Sequence, residues 1–155
     1  MADTIISPLN IMLSLLEVKC LSFSLTDYAQ KNKTPIAFDK YEFEFRVETA
    51  IDEKSKAILL IFTAKLLEKQ ENVKYELAEL KSLTAIKLIN FEEIIIKNEN
   101  GFGIPDQLLA LCSGIAVSNT RGMYAIKLES TPYSNALIPL MDTKLFIPQK
   151  PAEVV

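Results

Sequence analysis

Residues 41–51 alternate without interruption, and that alternation restricts the chain more than any other stretch. Tyr41, Phe43, Phe45, Val47, Thr49 and Ile51 form one set, and Glu42, Glu44, Arg46, Glu48 and Ala50 form the other. Only a two-residue period separates such sets, because successive side chains of a strand face opposite sides of a sheet. A segment divided in this way belongs in a sheet with one face on a core and the other on solvent. One strand cannot bury its own apolar face, so the rest of the chain must supply neighbours and a cover.

The neighbours come in series. Leu21, Phe23 and Leu25 alternate with Ser22 and Ser24, inside a first strand expected over residues 15–25. Residues 26–38 are polar, contain Pro35 and read as a loop. After strand two, Asp52-Glu53-Lys54-Ser55 suits a hairpin turn. A third strand is expected over residues 56–67, where Ala57-Ile58-Leu59-Leu60-Ile61-Phe62 is apolar on both faces, as in a central strand covered on two sides. The fourth begins at Val73, with Val73, Tyr75 and Leu77 alternating against Lys74, Glu76 and Ala78. Leu77, Leu80 and Leu83 also fit a helical stripe, but Val73, Tyr75, Thr84 and Ile86 favour pleated structure and argue for a bulged strand. Residues 91–96 extend the sheet edge or cross over, and residues 98–103 read as a loop.

The cover is a helix. Pro105 and Asp106 suit a first turn, where a missing N–H costs little and an acid meets the positive dipole end. Leu108, Leu111, Cys112 and Ile115 fall on one stripe. Arg121 and Gly122 have the character of a C-terminal turn and its cap, which sets the helix at residues 105–121. Residues 123–146 are rich in apolar side chains without a sustained period, with a short second helix expected over 141–146 and a frayed tail from about 147. The expected architecture is a single α+β domain over residues 1–155, frayed at its N-terminus, with a four-stranded antiparallel sheet and one long helix packed on one face.

The available chemistry is narrow. The chain has no histidine, which excludes Ser-His-Asp and Cys-His arrangements and removes the commonest acid–base group at neutral pH. Cys20 and Cys112 are far apart and read as buried reduced thiols, so no metal site and no cofactor is expected. Gly101-Phe102-Gly103 lacks the third glycine of a dinucleotide loop. The carboxylate pairs Glu42/Glu44, Glu76/Glu79 and Glu92/Glu93 read first as solvated faces and turns. Net charge is −3 with no lysine or arginine block, so nucleic acid is not an expected partner. The start Met1-Ala2-Asp3-Thr4 is acidic where a signal peptide is basic, and no apolar run approaches the roughly 20 residues of a membrane helix. A cytoplasmic protein without membrane insertion is expected. Hydrophobic residues make up 49% of the chain, a generous share that leaves apolar area for self-association or a partner.

The apolar stretch 123–146 has two compatible readings. It completes the core and an oligomer interface, or it lines a groove for extended apolar peptides. In the second reading the groove residues are Phe43, Phe45, Met123, Tyr124, Ile126, Leu128, Tyr133, Leu137, Leu140, Met141 and Phe146.

Residues 41–146 resemble SecB-type export chaperones. Leu77-Ala78-Glu79-Leu80 is similar to that family's fourth-strand Leu-x-Glu-Val. Residues 105–122, closing on Thr120-Arg121-Gly122, are similar to its long helix, and Pro139-Leu140-Met141-Asp142-Thr143-Lys144-Leu145-Phe146 to its Pro-Val-(Asn/Asp)-x-x-x-Leu-Phe run. The resemblance implies an ATP-independent holdase, a homo-oligomer (dimer or tetramer) with the long helices at its centre, here through Leu108, Leu111, Cys112 and Ile115. It also implies unfolded polypeptide clients held in apolar grooves, and delivery to the SecA motor through an acidic sheet face matched by Leu77 and Glu79. The chain departs from the pattern at the first strand, where Cys20 and Ser24 replace acidic neighbours, and at the C-terminus, where residues 149–155 replace a glycine-rich acidic tail. A SecB-like chaperone of a toxin–antitoxin pair and an assembly adaptor with one fixed partner are the alternatives, with a carboxylate enzyme behind them.

Overall fold

The computed structural model describes residues 10–148. The expectations of a frayed N-terminus and of a tail beyond Pro148 lie outside those residues. Four long strands, β1 (Leu13–Leu25), β2 (Tyr41–Asp52), β3 (Ala57–Gln70) and β4 (Val73–Leu88), form one antiparallel sheet in the order β1-β4-β3-β2. Strands two to four are joined by tight turns, with Lys56 and Glu71 in left-handed backbone at the two corners. The first strand pairs with the fourth rather than the second, so β1 and β2 are the two edges.

The expected loop after β1 contains a short helix, α1 (Asp27–Lys31), whose N-terminus is capped by the Thr26 hydroxyl accepting from the Ala29 amide at 3.2 Å. After β4 the chain makes one helical turn, α2 (Phe91–Ile94), and a small hairpin, β5 (Ile96–Asn98) with β6 (Gly101–Gly103), where Gly101 takes a φ of 127°. The expected loop is therefore partly paired. A glycine is needed at its corner, because a positive φ of that kind strains any side chain.

The long helix, α3 (Asp106–Leu128), runs seven residues past the expected end. Gly122 lies inside it and does not cap it. Leu108, Cys112, Ala116, Thr120, Tyr124 and Leu128 are all buried, so the buried spacing continues straight through the glycine. A mid-helix glycine costs about 1 kcal/mol, whereas burying Tyr124 and Leu128 returns about 1.5–3 kcal/mol for each. Beyond α3 the chain folds back over the same face of the sheet, ending in a short 3₁₀ helix at Thr143–Phe146, within the second helix expected over 141–146.

Helix and return segment cover one face only. The core beneath them has two halves. One gathers Phe62, Leu66, Leu77 and Leu80 with Val117, Tyr124, Leu128 and Tyr133. The other gathers Ile58, Leu60, Ile86 and Leu88 with Phe91, Leu108, Cys112 and Ala116. A polar seam is buried with them: the Ser82 and Thr120 hydroxyls are 2.7 Å apart, and Thr120 also donates to the Ala116 carbonyl at 2.7 Å. Buried hydroxyls demand partners, so this seam fixes where along the sheet the helix crosses.

Candidate functional site: an apolar groove beside strand β2

On the covered face the helix leaves the β2 edge partly open. Tyr41, Phe43, Phe45 and Val47 point to that face and are only half-buried. Phe43 and Phe45 stack with centroids 5.9 Å apart, Phe43 meets Tyr124 edge-on at 5.8 Å, and Phe45 lies 5.6 Å from Phe62. The opposite wall is the return segment. Phe146 packs edge-on against Phe62 at 5.6 Å, and Met141 lies against the same half of the core. Such offset and edge-on pairs form a continuous aromatic floor.

Specific hydrogen bonds hold the return segment in place. Arg121 donates from Nε to the Ile138 carbonyl and from Nη2 to the Pro139 carbonyl, both at 2.9 Å. Tyr41 donates to Asn135 Oδ1 at 2.8 Å, and Tyr133 donates to the Ala29 carbonyl at 2.9 Å. Between the walls lies a cavity of about 290 Å³ lined by Phe38, Tyr41, Glu42, Phe43, Ala136, Leu137 and Pro139. Its rim is open and greasy: Phe38 is 75% exposed and Leu137 55%. Beyond it, Leu140 is 90% exposed.

The expected groove residues separate into three groups. Phe43, Phe45, Met123, Met141 and Phe146 are half-buried around the aromatic floor, and Leu137 lines the cavity itself. Tyr124, Leu128 and Tyr133 are not groove surface. They are at most 1% exposed and belong to the core, because α3 continues past Gly122 and turns the first two inward while the Ala29 carbonyl anchors the third. Burial holds the Tyr124 phenol well above the ordinary tyrosine range. Ile126 and Leu140 are solvent-facing and line no part of the cavity. Sequence reasoning missed Phe38, Tyr41, Ala136 and Pro139. Tyr41 was legible in the strand-two alternation, whereas Phe38 follows a polar loop and has no periodic partner.

The uncovered face of the sheet has a different character. Lys74 reaches Glu42 at 2.6 Å and Glu44 at 3.9 Å, Lys65 bridges Glu76 at 3.3 Å and Glu79 at 3.5 Å, and Arg46 meets Glu48 at 2.6 Å. Hydrogen bonding to Glu76 raises the Lys65 ammonium above its usual range, and Glu42 does the same for Lys74. Glu79, one of the two expected docking residues, is therefore on this face but already shared with a lysine. Leu77, the other, is fully buried. β4 has one extra residue where its pairing passes from Leu66 to Leu67, so Leu77 and Ala78 are buried in succession and Leu77 presents nothing to a partner.

The expected oligomer stripe divides as well. Leu108 and Cys112 are spent inside this chain's own core, and burial pushes the Cys112 thiol up to about 11. Leu111 is 46% exposed and joins Ala110, Gly114, Ile115 and Ser118 around a shallow depression on the outer side of α3. The β1 edge exposes Leu15, Leu16, Val18 and Leu21 in one strand, with Met12 exposed just before it. Among the described residues no cluster of three histidine, cysteine or acidic side chains is arranged to hold a metal, and no helix is long and apolar enough to cross a membrane.

This combination of a four-stranded antiparallel sheet, a long helix across one face and an apolar return segment defines an α+β fold. No protein-family model matches the chain, and no curated protein matches it in sequence. The fold is similar to that of a SecB-like chaperone from Mycobacterium tuberculosis, solved in complex with a ChAD peptide from an antitoxin. The TM-score is 0.52 at 11% identity, with 83% of this chain and 89% of that chain covered. A protein of unknown function from Streptococcus agalactiae is also similar, at 16% identity and a TM-score of 0.30, covering 84% of this chain and 98% of that one.

Proposed function

We propose that this chain is an ATP-independent holdase that binds non-native polypeptide along the groove between β2 and the return segment. The observation that carries the reading is the half-open aromatic floor, in which Phe43 and Phe45 are packed well enough to be ordered and remain accessible enough to take a guest. Hydrophobic burial is non-directional, so such a site accepts many sequences at about 25 cal/mol for each Å² of apolar surface covered. The fold's likeness to a chaperone solved with an antitoxin peptide supports the same reading.

Two finer forms follow from it. One is delivery of preproteins to the SecA motor, and the other is the guarding of a dedicated client such as an antitoxin. The pairing of Glu42, Glu76 and Glu79 with lysines favours the second, because a face whose acids are already neutralised attracts a basic partner weakly. The exposed apolar row on β1 and the depression beside Leu111 supply surfaces for self-association into a dimer or tetramer.

The test is suppression of aggregation of a chemically unfolded client without nucleotide, together with the solution mass by light scattering. A holdase keeps the client dispersed at stoichiometric ratio, and unrelated unfolded clients compete for it. A fixed adaptor shows no such competition, and a monomer that leaves aggregation unchanged ends the proposal.

A further inference from the structure

β3 is apolar on both of its faces, but α3 and the return segment cover only one. Leu60 and Phe62 face the core, so Leu59 and Ile61 face the uncovered side, where both are half-buried. Beside them on β4 lie Leu83, also half-buried, and Ala85. The pairs that Lys65 and Lys74 make with glutamates lie further along the strands.

The strand register sets these residues in rows across the sheet. One row runs Lys19, Leu83, Ile61 and Glu48 from β1 to β2, and the next runs Glu17, Ala85, Leu59 and Ala50. The first has a base at one edge, an acid at the other and two apolar residues between. Turned end for end, such a row is complementary to itself. A two-fold axis along the strands, between β3 and β4, makes that turn. It sets Lys19 opposite Glu48 of a second copy at both edges, and Leu83 opposite Ile61, an isologous contact. The same turn sets Glu79 opposite Lys65, Lys81 opposite Thr63 and Glu17 opposite Ala50, so no like charges meet in these rows. A two-fold axis across the strands would instead set Lys19 on Lys19 and Glu48 on Glu48.

The face is also large enough. β2 has 12 residues and the sheet four strands. At ~3.4 Å for each residue and ~4.8 Å for each strand the footprint is roughly 750 Å². A standard interface covers about 800 Å² on each partner. We propose that a second copy of this chain stacks on the uncovered face, sheet against sheet, with Leu59, Ile61 and Leu83 at the centre and a Lys19–Glu48 pair at each edge. Stacked sheets lie ~10 Å apart and cross at about 30°, a gap that interdigitated apolar side chains fill and long charged ones bridge at the rim. The contact is distinct from the β1 edge and from the depression beside Leu111. Both grooves stay open, since each lies on the opposite face of its own sheet.

Sedimentation equilibrium of the full chain over a dilution series tests it. Lys19→Glu alone sets acid against acid at both edges, and Glu48→Lys alone sets base against base. Each is expected to weaken association at least tenfold and to halve the mass found for the native protein. The two changes together restore opposite charges and are expected to restore the mass. Within one subunit these side chains stand ~14 Å apart on opposite edges, so a rescue reports contact between copies. Both are exposed, and neither change disturbs the core. A native mass no greater than that of Lys19→Glu overturns the stack and leaves the apolar band to a foreign chain. Failure of the double change to restore what each single change removes overturns it as well. So does a loss of client binding that accompanies the loss of mass, because the grooves would then lie inside the contact.

Discussion

The two faces of one sheet carry opposite solutions to the same problem. On the covered face apolar side chains outnumber what α3 and the return segment can shield, and the surplus is left as a groove beside Phe43 and Phe45. On the other face charged side chains shield one another, with Lys65 and Lys74 each shared between two glutamates. The first face leaves aromatic side chains half-open, and the second matches its acids with lysines in place. The difference teaches that charge on a strand is not by itself a docking signal. What matters is whether that charge is already matched inside the molecule.

Three substitutions press on this comparison. The largest effect is expected from Tyr124→Ala, which empties the floor beneath the groove and should cost about 3–5 kcal/mol in urea unfolding. Ile126→Ala, two residues further along the same helix at a position 72% exposed, should change the midpoint little. Equal losses at both would mean that the burial divide within α3 is wrong. A middle effect belongs to Phe43→Ala. The ring is half-buried without a guest, so covering the remainder contributes about 1.4 kcal/mol, and client affinity should fall roughly tenfold by anisotropy. Client affinity unchanged by that substitution would move the groove away from β2. The smallest effect is expected for Glu79→Gln, which breaks a partly exposed pair with Lys65. Stability should fall by less than about 1 kcal/mol, and client binding should stay as it was. A large loss of partner binding in that variant would restore the charged end of the outer face as a docking surface.

The legibility of the molecule followed the range of its interactions. The strand-two alternation, the hairpin turns and the start of the helix at Pro105 depend on neighbours a few residues away, and each was visible in the residues themselves. The end of the helix was not. Arg121-Gly122 is a sound local stop signal, but Tyr124 and Leu128 find Phe43, Phe23 and the β3–β4 core only in the folded chain, and that burial overrides it. The same holds for Leu77, whose alternation with Lys74 and Glu76 is interrupted by a bulge that the sequence marks with no glycine or proline. The groove was half legible. Its residues were recognised as a set, but the set mixed floor with wall, because exposure within residues 123–146 is decided by contacts to β2 and α1 that lie about 100 residues away in sequence.

By itself, then, the sequence determined an antiparallel sheet with a single helical cover, the absence of histidine chemistry and a surplus of apolar side chains, since periodicity and composition are properties of the chain alone. Only the tertiary structure decided which of those side chains remain open and which acids are already paired. Burial and ion pairing are relations between distant residues, and a linear pattern cannot express a relation that exists only once the strands have found their register.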